Sequence, residues 1–182
     1  MELALYGGAF DPPHLAHQKV IEFCLKSYDN VIIVPTGNSS SKKIKASARH
    51  RLAMLKLLIK DFKHNIVIDT FEIDRDSISY SIDSIEYVRK KYNNSSINLI
   101  LGSDQMLNFK RWKKYKQIRD KVNLICINRS NYKLDFLDDK IIYVDDVDID
   151  TSSSDIRSMI SDDVSMNDSI INIDVLEYIK EN

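Results

Sequence analysis

Two histidines three residues apart, His14 and His17, lie near the start of the chain, behind the glycine pair Gly7 and Gly8. On a helix this spacing places both imidazoles on one face. Backbone N–H groups and the helix dipole at a helix N-terminus favour an anion such as phosphate. Glycine lets the backbone approach that anion closely, because it has no side chain. The stretch is therefore predicted to bind phosphate groups, with both histidines donating to phosphate oxygens.

A histidine pair also serves as a helix cap, as part of a core, or as a pair of metal ligands. No third ligand stands at a helical spacing from the two, and the other histidines, His50 and His64, lie elsewhere in the sequence. Structural zinc sites need four ligands. We therefore expect no metal held by protein side chains at this site.

The elements that must position the histidines are a strand, a turn and a helix. The apolar run Leu3–Tyr6 predicts a buried strand, and apolar residues at helical spacing from Val20 to Tyr28 predict a helix. Further strands are predicted at 31–34, 66–68, 97–101, 122–127 and 141–144. Helices are predicted at 48–62, from Ser81, from a cap at Ser153 or Ser154, and from about Asp174. This alternation predicts an α/β fold, a Rossmann-like doubly wound parallel sheet of five to six strands, in a single domain over residues 1–182.

Glycine and proline are concentrated at one kind of position. The chain has four glycines and three prolines, and all seven follow a predicted strand. In open α/β sheets, ligands bind outside the carboxyl ends of the strands. The special backbone positions therefore lie where a binding site is expected.

Charge and cysteine usage limit the partners. The formal net charge of −1 gives no overall attraction to nucleic acid or to a membrane. No run is long enough to span a bilayer, and no signal peptide is recognisable. Cys24 and Cys126 lie in apolar patterns and are predicted to be buried reduced thiols of a cytoplasmic protein, with a disulfide as the less favoured alternative. Residues 110–121 hold seven basic residues against Asp120, which fits either a solvated face or a helix beside a polyanionic substrate.

The stretch GGAFDPPHLAH resembles the G-G-x-F-D-P-x-H-x-x-H motif of the nucleotidyltransferase superfamily, and the chain looks most like the bacterial nicotinate mononucleotide adenylyltransferases within it. The resemblance implies adenylyl transfer from ATP to nicotinate mononucleotide, giving deamido-NAD and pyrophosphate, with Mg²⁺ carried on ATP. Nicotinamide mononucleotide or phosphopantetheine as acceptor, and a nucleotide-binding module without turnover, are the alternatives. Nucleic-acid binding is the least favoured, and the sequence leaves homo-oligomer formation open.

Later motifs extend the resemblance over nearly the whole chain. Residues 151–157 resemble the phosphate-binding I-S-S-T-x-I-R, with Thr151 in place of the first Ile and Ser154 in place of the Thr, which implies that Arg157 binds the leaving pyrophosphate. Lys42 ends a match to P-T-G-x-P-x-x-K, and residues 102–104 match G-x-D, whose Asp approaches the ribose. Catalytic roles are thereby implied for His14, His17 and Arg157. The implied ATP-binding residues are Gly7, Gly8, Phe10, Asp11, Lys42, Gly102, Asp104, Ser152, Ser153 and Ser154.

The acceptor site follows from two further matches. Residues 79–81 resemble the S-Y-T that binds the pyridine carboxylate, which implicates Tyr80 and Ser81. Trp112 is the one tryptophan and, among basic neighbours, suits stacking on a pyridine ring. The family has Trp-Tyr here, whereas this chain has Lys113. It also has Ala16 and Ser39 where the family has glycine and proline.

Overall fold

Six parallel strands form one sheet in the computed structural model, which describes residues 1–39, 43–62, 65–128, 138–145, 151–162 and 169–182. The strands are β1 Glu2–Gly8, β2 Asn30–Pro35, β3 Ile66–Ile68, β4 Ser96–Gly102, β5 Asn123–Ile127 and β6 Ile141–Val144. The helices are α1 Leu15–Ser27, α2 Ala48–Leu58, α3 Ser81–Lys91, α4 Ser103–Leu107, α5 Tyr115–Lys121, α6 Ser153–Ser161 and α7 Ile173–Glu181. The predicted Rossmann-like α/β fold is confirmed.

The strand order is β3-β2-β1-β4-β5-β6. The chain builds outward from β1 to β3, returns to pair β4 with the free side of β1, and then builds outward the other way. The order therefore reverses between β1 and β4. In doubly wound sheets, the crevice outside the carboxyl ends of the strands at this switch point is where ligands bind.

Alternate residues of the four central strands, β2, β1, β4 and β5, pack in two different cores, because successive side chains of a strand point to opposite faces. Ala4 and Tyr6 pack with the buried side chains of α1, α2, α6 and α7. Leu3 and Leu5 pack on the other face with those of α3, α4 and α5. Both faces of the sheet are covered, so its central strands are apolar along their length rather than alternating.

Some predicted boundaries shift by a few residues. β1 continues through Gly7 and Gly8, which pair with Val34 and Pro35 of β2. The helix predicted at 48–62 ends at Leu58, because the chain turns there through hydrogen bonds from Lys60 N–H to the Leu57 carbonyl and from Phe62 N–H to the Ile59 carbonyl.

The prediction of a cap at Ser153 or Ser154 was wrong. Ser152 caps α6 instead, and its side chain accepts the Asp155 N–H.

The predicted buried, unpaired cysteines are confirmed. Cys24 and Cys126 are free and fully buried, and burial raises the pKa of each thiol to about 12. In the part of the chain that the structure describes, no helix combines the length and apolar character needed to cross a bilayer.

Candidate functional site

Two helices begin at the switch point of the sheet. β1 ends at Gly8 and leads through a short loop to α1, whose N-cap is His14. Its neighbour β4 ends at Gly102 and runs directly into α4, which begins at Ser103. The glycine-rich first motif and the G-x-D motif are thus brought to adjacent strand ends, as their positions in the sequence predict.

The two histidines contact each other at the start of α1. Their ring centroids are 3.8 Å apart, and the His14 backbone N–H donates to Nδ1 of His17 at 3.1 Å. Because Nδ1 of His17 accepts this bond, the proton of the neutral ring is held on Nε2. His14 is buried and His17 is half-buried. This hydrogen bond therefore fixes the orientation of the His17 ring and the nitrogen that carries its proton.

Phe10 packs between the His17 and Tyr6 rings. Its ring lies 5.0 Å from the His17 ring and 5.6 Å from that of Tyr6, and the side chain is 1% exposed. Its φ of 51° is in the left-handed region that bulky residues rarely adopt. A Cβ on Gly8 would meet the Phe10 ring at 3.0 Å. A side chain at position 8 would therefore force the Phe10 ring to shift by a few tenths of an ångström, whereas a Cβ on Gly7 would meet nothing closer than 3.9 Å.

Asp11 joins three separate parts of the chain. The side chain accepts the backbone N–H groups of Lys45 at 2.7 Å and Ala46 at 3.0 Å. Arg157 Nη1 lies 3.7 Å from Oδ2 of Asp11 and also donates to its backbone carbonyl. The first motif, the loop before α2 and the late motif are therefore held together. Lys42, predicted to bind ATP from this loop, lies outside the described residues.

The serines of the late motif make internal hydrogen bonds. Ser152 forms a capping box with Asp155, and Ser153 Oγ donates to the Pro12 carbonyl at 2.9 Å. Ser154 Oγ accepts from Arg157 Nη2 at 3.0 Å. A cavity of about 580 Å³ borders Lys45, Ser154 and Arg157. The start of α6 thus lies against the first motif, with a basic side chain at the edge of open space.

Asp104 lies in the first turn of α4 and is half-buried. Its Oδ2 accepts from Gln105 Nε2 at 2.8 Å. Gly102, the residue that ends β4, is the N-cap of the same helix. The structure therefore places both residues of the G-x-D match at the switch point, and their contact with a ribose stays a prediction.

Lys113 connects the two segments that hold the residues predicted to bind the acceptor. Tyr80 is the N-cap of α3 and Ser81 its first residue. Trp112 is half-buried and packs at 5.6 Å against the Phe109 ring. The ammonium of Lys113 lies 3.8 Å from the centroid of the Tyr80 ring, within the range of a cation–π interaction. The tryptophan segment and the start of α3 are therefore neighbours.

Two buried charged residues were missed by the sequence analysis, since no motif marks them. Glu72 accepts from Ser84 Oγ at 2.5 Å and from the Gly37 N–H at 3.4 Å, and burial raises its pKa. Arg51 donates to the Ala9 carbonyl at 2.8 Å, and burial lowers its pKa. The only signal for Arg51 was its place on the apolar side of α2, beside Met54, Leu55 and Leu58.

Among the residues that the structure describes, no three His, Cys, Asp or Glu side chains cluster so as to hold a metal ion.

Comparison with known proteins places these motifs in a family. The Cytidylyltransferase-like family matches residues 5–159. The chain is 36% identical over 190 residues to a probable nicotinate-nucleotide adenylyltransferase of Borrelia garinii subsp. bavariensis, covering 100% of this chain and 93% of that protein. A protein of the same name from Methylacidiphilum infernorum is 37% identical over 190 residues, covering 99% and 90%. A Plasmodium falciparum nicotinic acid mononucleotide adenylyltransferase complexed with NaAD shares the fold, with a TM-score of 0.82 at 20% identity and coverage of 99% and 95%.

Proposed function

The chain belongs to the cytidylyltransferase-like family, in its nicotinate-nucleotide adenylyltransferase branch, and we propose that it transfers the adenylyl group of ATP to nicotinate mononucleotide at the β1–β4 switch point. It is a nucleotidyltransferase of NAD biosynthesis, and its products are deamido-NAD and pyrophosphate. The observation that carries the site assignment is the meeting of the first and late motifs around Asp11 and Arg157.

The chemistry is an in-line displacement at phosphorus. A phosphate oxygen of the mononucleotide forms a bond to the α-phosphorus of ATP, and the bond between the α-phosphorus and the bridging oxygen of pyrophosphate breaks. The attacking phosphate is already anionic at neutral pH, so it needs no general base. The site must instead hold both substrates in line and stabilise the negative charge that develops on the five-coordinate phosphorus.

His14 and His17 are the proposed donors to the transferred phosphate. His17 presents Nε2–H because its Nδ1 accepts the His14 backbone N–H. Such a preorganised donor stabilises charge without reorganising during the reaction. The role agrees with the position of both residues at the N-terminus of α1, where the helix dipole adds to the positive potential.

Arg157 is proposed to bind the β- and γ-phosphates and to stabilise the leaving pyrophosphate. Its guanidinium has five N–H donors, and among the described residues it makes two hydrogen bonds, to Asp11 and Ser154, so other donors are proposed to bind phosphate. The remaining proposed ATP contacts are the main chain at Gly7, Gly8 and Gly102 and the residues Phe10, Lys42, Asp104, Ser152, Ser153 and Ser154. Asp11, which the resemblance also implies, differs from them because its carboxylate already accepts the Lys45 and Ala46 N–H groups. Mg²⁺ is proposed to enter with ATP as part of that substrate.

The proposed acceptor site consists of Trp112, stacked on the pyridine ring, and of Tyr80 and Ser81 at the start of α3, which bind its carboxylate. Support comes from the contact of Lys113 with Tyr80, which brings these two segments together. A cation beside the nicotinate carboxylate favours the acid over the neutral amide. The carboxylate of nicotinate can accept hydrogen bonds at both of its oxygens. When the amide of nicotinamide takes its place, one hydrogen-bond donor of the site loses its acceptor.

We propose that residues 1–182 form one domain, since both cores share the one sheet. A cytoplasmic location is proposed from the two buried free cysteines, which fit a reducing compartment.

The rate of pyrophosphate release from ATP tests this function. It is measured with nicotinate mononucleotide, with nicotinamide mononucleotide, with phosphopantetheine and without any acceptor. We expect fast release with the first and a much lower kcat/KM with the others. Faster release with phosphopantetheine, or ATP binding without release in any condition, would overturn the proposal.

A further inference from the structure

Asp11 has the contacts of a residue that positions its neighbours. The residue is 4% exposed, its carboxylate accepts two backbone N–H groups, and the Arg157 guanidinium lies 3.7 Å from one carboxylate oxygen. We infer that Asp11 is a positioning residue that holds the loop at Lys45–Ala46 and the Arg157 side chain, and that it does not contact ATP. This inference rests on the proposed function only for its kinetic consequence.

Both oxygens of the carboxylate already have partners. Oδ2 accepts the Lys45 N–H at 2.7 Å and faces Arg157 Nη1 at 3.7 Å, and Oδ1 accepts the Ala46 N–H at 3.0 Å. A phosphate group of ATP placed next to these oxygens would be repelled, because both groups are negatively charged. Direct contact of this side chain with the triphosphate is therefore unfavourable, and its role is to hold the Lys45–Ala46 backbone and the Arg157 side chain in place.

The three partners belong to segments that are distant along the chain. Lys45 and Ala46 precede Ser47, the N-cap of α2, and follow Lys42 in the sequence by three and four positions. Arg157 lies in the first turns of α6. One buried side chain thus sets the positions of a loop and of an arginine that border the same cavity. Preorganisation of this kind needs supporting residues whose own geometry is fixed.

Asp11→Asn is the informative variant, because it keeps the size of the side chain. Its Nδ2 amide would face a backbone N–H in place of an acceptor, so at least one of the two hydrogen bonds is lost. Asp69→Asn is the matched control. Asp69 is 6% exposed, accepts the Phe71 N–H at 3.1 Å and pairs with Lys91 at 2.8 Å, but lies at the end of the edge strand β3.

The first measurement is independent of activity. Limited trypsin digestion, followed by mass spectrometry, reports the rate of cleavage after Lys43 and Lys45. Cleavage within an ordered segment requires local opening, whose free energy depends on the hydrogen bonds that hold the segment. We expect Asp11→Asn to raise these two rates roughly tenfold over wild type, and Asp69→Asn to leave them within about twofold.

Amide hydrogen exchange of the wild-type protein is a second test of the hydrogen bonds to Asp11, and it needs no variant. The amides of Lys45 and Ala46 should be protected at least roughly tenfold relative to an unstructured chain, because both donate to Asp11. Unprotected amides at these positions would overturn the inference, even if Asp11→Asn failed to fold.

The kinetic measurement separates positioning from direct binding. Asp11→Asn should raise the KM for ATP about ten- to a hundredfold, with the KM for the mononucleotide unchanged. A raised KM without faster cleavage at Lys43 and Lys45 would assign Asp11 to direct ATP contact and refute positioning. If wild type released no pyrophosphate with any acceptor, the proposed function would fail, while cleavage and exchange would still decide the role of Asp11.

Discussion

The ammonium of Lys113 lies 3.8 Å from the centroid of the Tyr80 ring. This contact joins Lys113, which directly follows Trp112, to Tyr80, the N-cap of α3, although the two residues are 33 positions apart in the sequence. A lysine on the surface is free to extend into water, but here the charge lies over an aromatic face. The positive charge is therefore beside the proposed carboxylate site.

Replacing Lys113 by methionine tests whether this charge selects the acceptor. Methionine keeps much of the length of the side chain and removes the charge. We expect kcat/KM for nicotinate mononucleotide to fall about fivefold, since an exposed charge interaction contributes about 1 kcal/mol. The value for nicotinamide mononucleotide should stay unchanged. Equal losses with both acceptors, measured side by side, would show that Lys113 supports the fold of the segment and does not recognise the carboxylate.

His17→Ala tests the proposed donor to the transferred phosphate. Removal of one preorganised donor lowers kcat by about 10²–10³-fold, and ATP binding should be much less affected because the donor acts mainly in the transition state. His50→Ala is the matched control, since His50 lies on α2 and contacts Tyr178 OH at 3.0 Å. A kcat of His17→Ala similar to that of the control would assign His17 to structure alone.

Gly37→Ala tests a close approach of two backbone segments. A Cβ at this position would lie 1.9 Å from the Glu72 carbonyl oxygen, so one of the two loops must move. We expect the free energy of unfolding to fall by about 1–3 kcal/mol, as in other overpacked sites. Gly7→Ala provides the comparison, because its nearest neighbour is the Val34 carbonyl at 3.9 Å. Urea denaturation of the two variants should rank Gly37→Ala clearly below Gly7→Ala, and equal midpoints would contradict the geometry.

Glu72 gives the protein a defined pH dependence. Burial raises the pKa of its carboxyl above the usual value of 4.5. The folded state therefore binds the proton more tightly than the unfolded state, so stability falls as pH rises from 4.5 through the raised folded-state pKa. Urea denaturation from pH 4 upwards should show wild type losing stability relative to Glu72→Gln over this window. A constant difference between the two would show that Glu72 titrates alike in both states. Exposed Glu86→Gln serves as the control.

Local features of the site could be predicted from the sequence because they depend on neighbouring residues. The apolar run of β1, the glycine pair and the helical spacing after His17 predict strand, turn and helix in order, and α1 does follow, with His14 as its N-cap. Where several neighbouring residues can fill the same local role, the prediction was less accurate. Three consecutive serines each offer a cap for α6, and the choice of Ser152 depends on its reciprocal bond with Asp155 and on Ser153 reaching Pro12.

The class of fold and the motifs that carry the chemistry could be predicted from the residues alone, because strand and helix periodicity and short-range capping act within a few residues. The meeting of distant groups could not be predicted in this way and became visible only in the folded chain. Asp11 contacts residues 34, 35 and 146 positions away, and Glu72 meets Gly37 across 35 positions. These contacts depend on the order of the strands, which sets which loops emerge side by side at the carboxyl edge of the sheet. No local pattern encodes that order, since it results from how the whole chain packs both faces of the sheet.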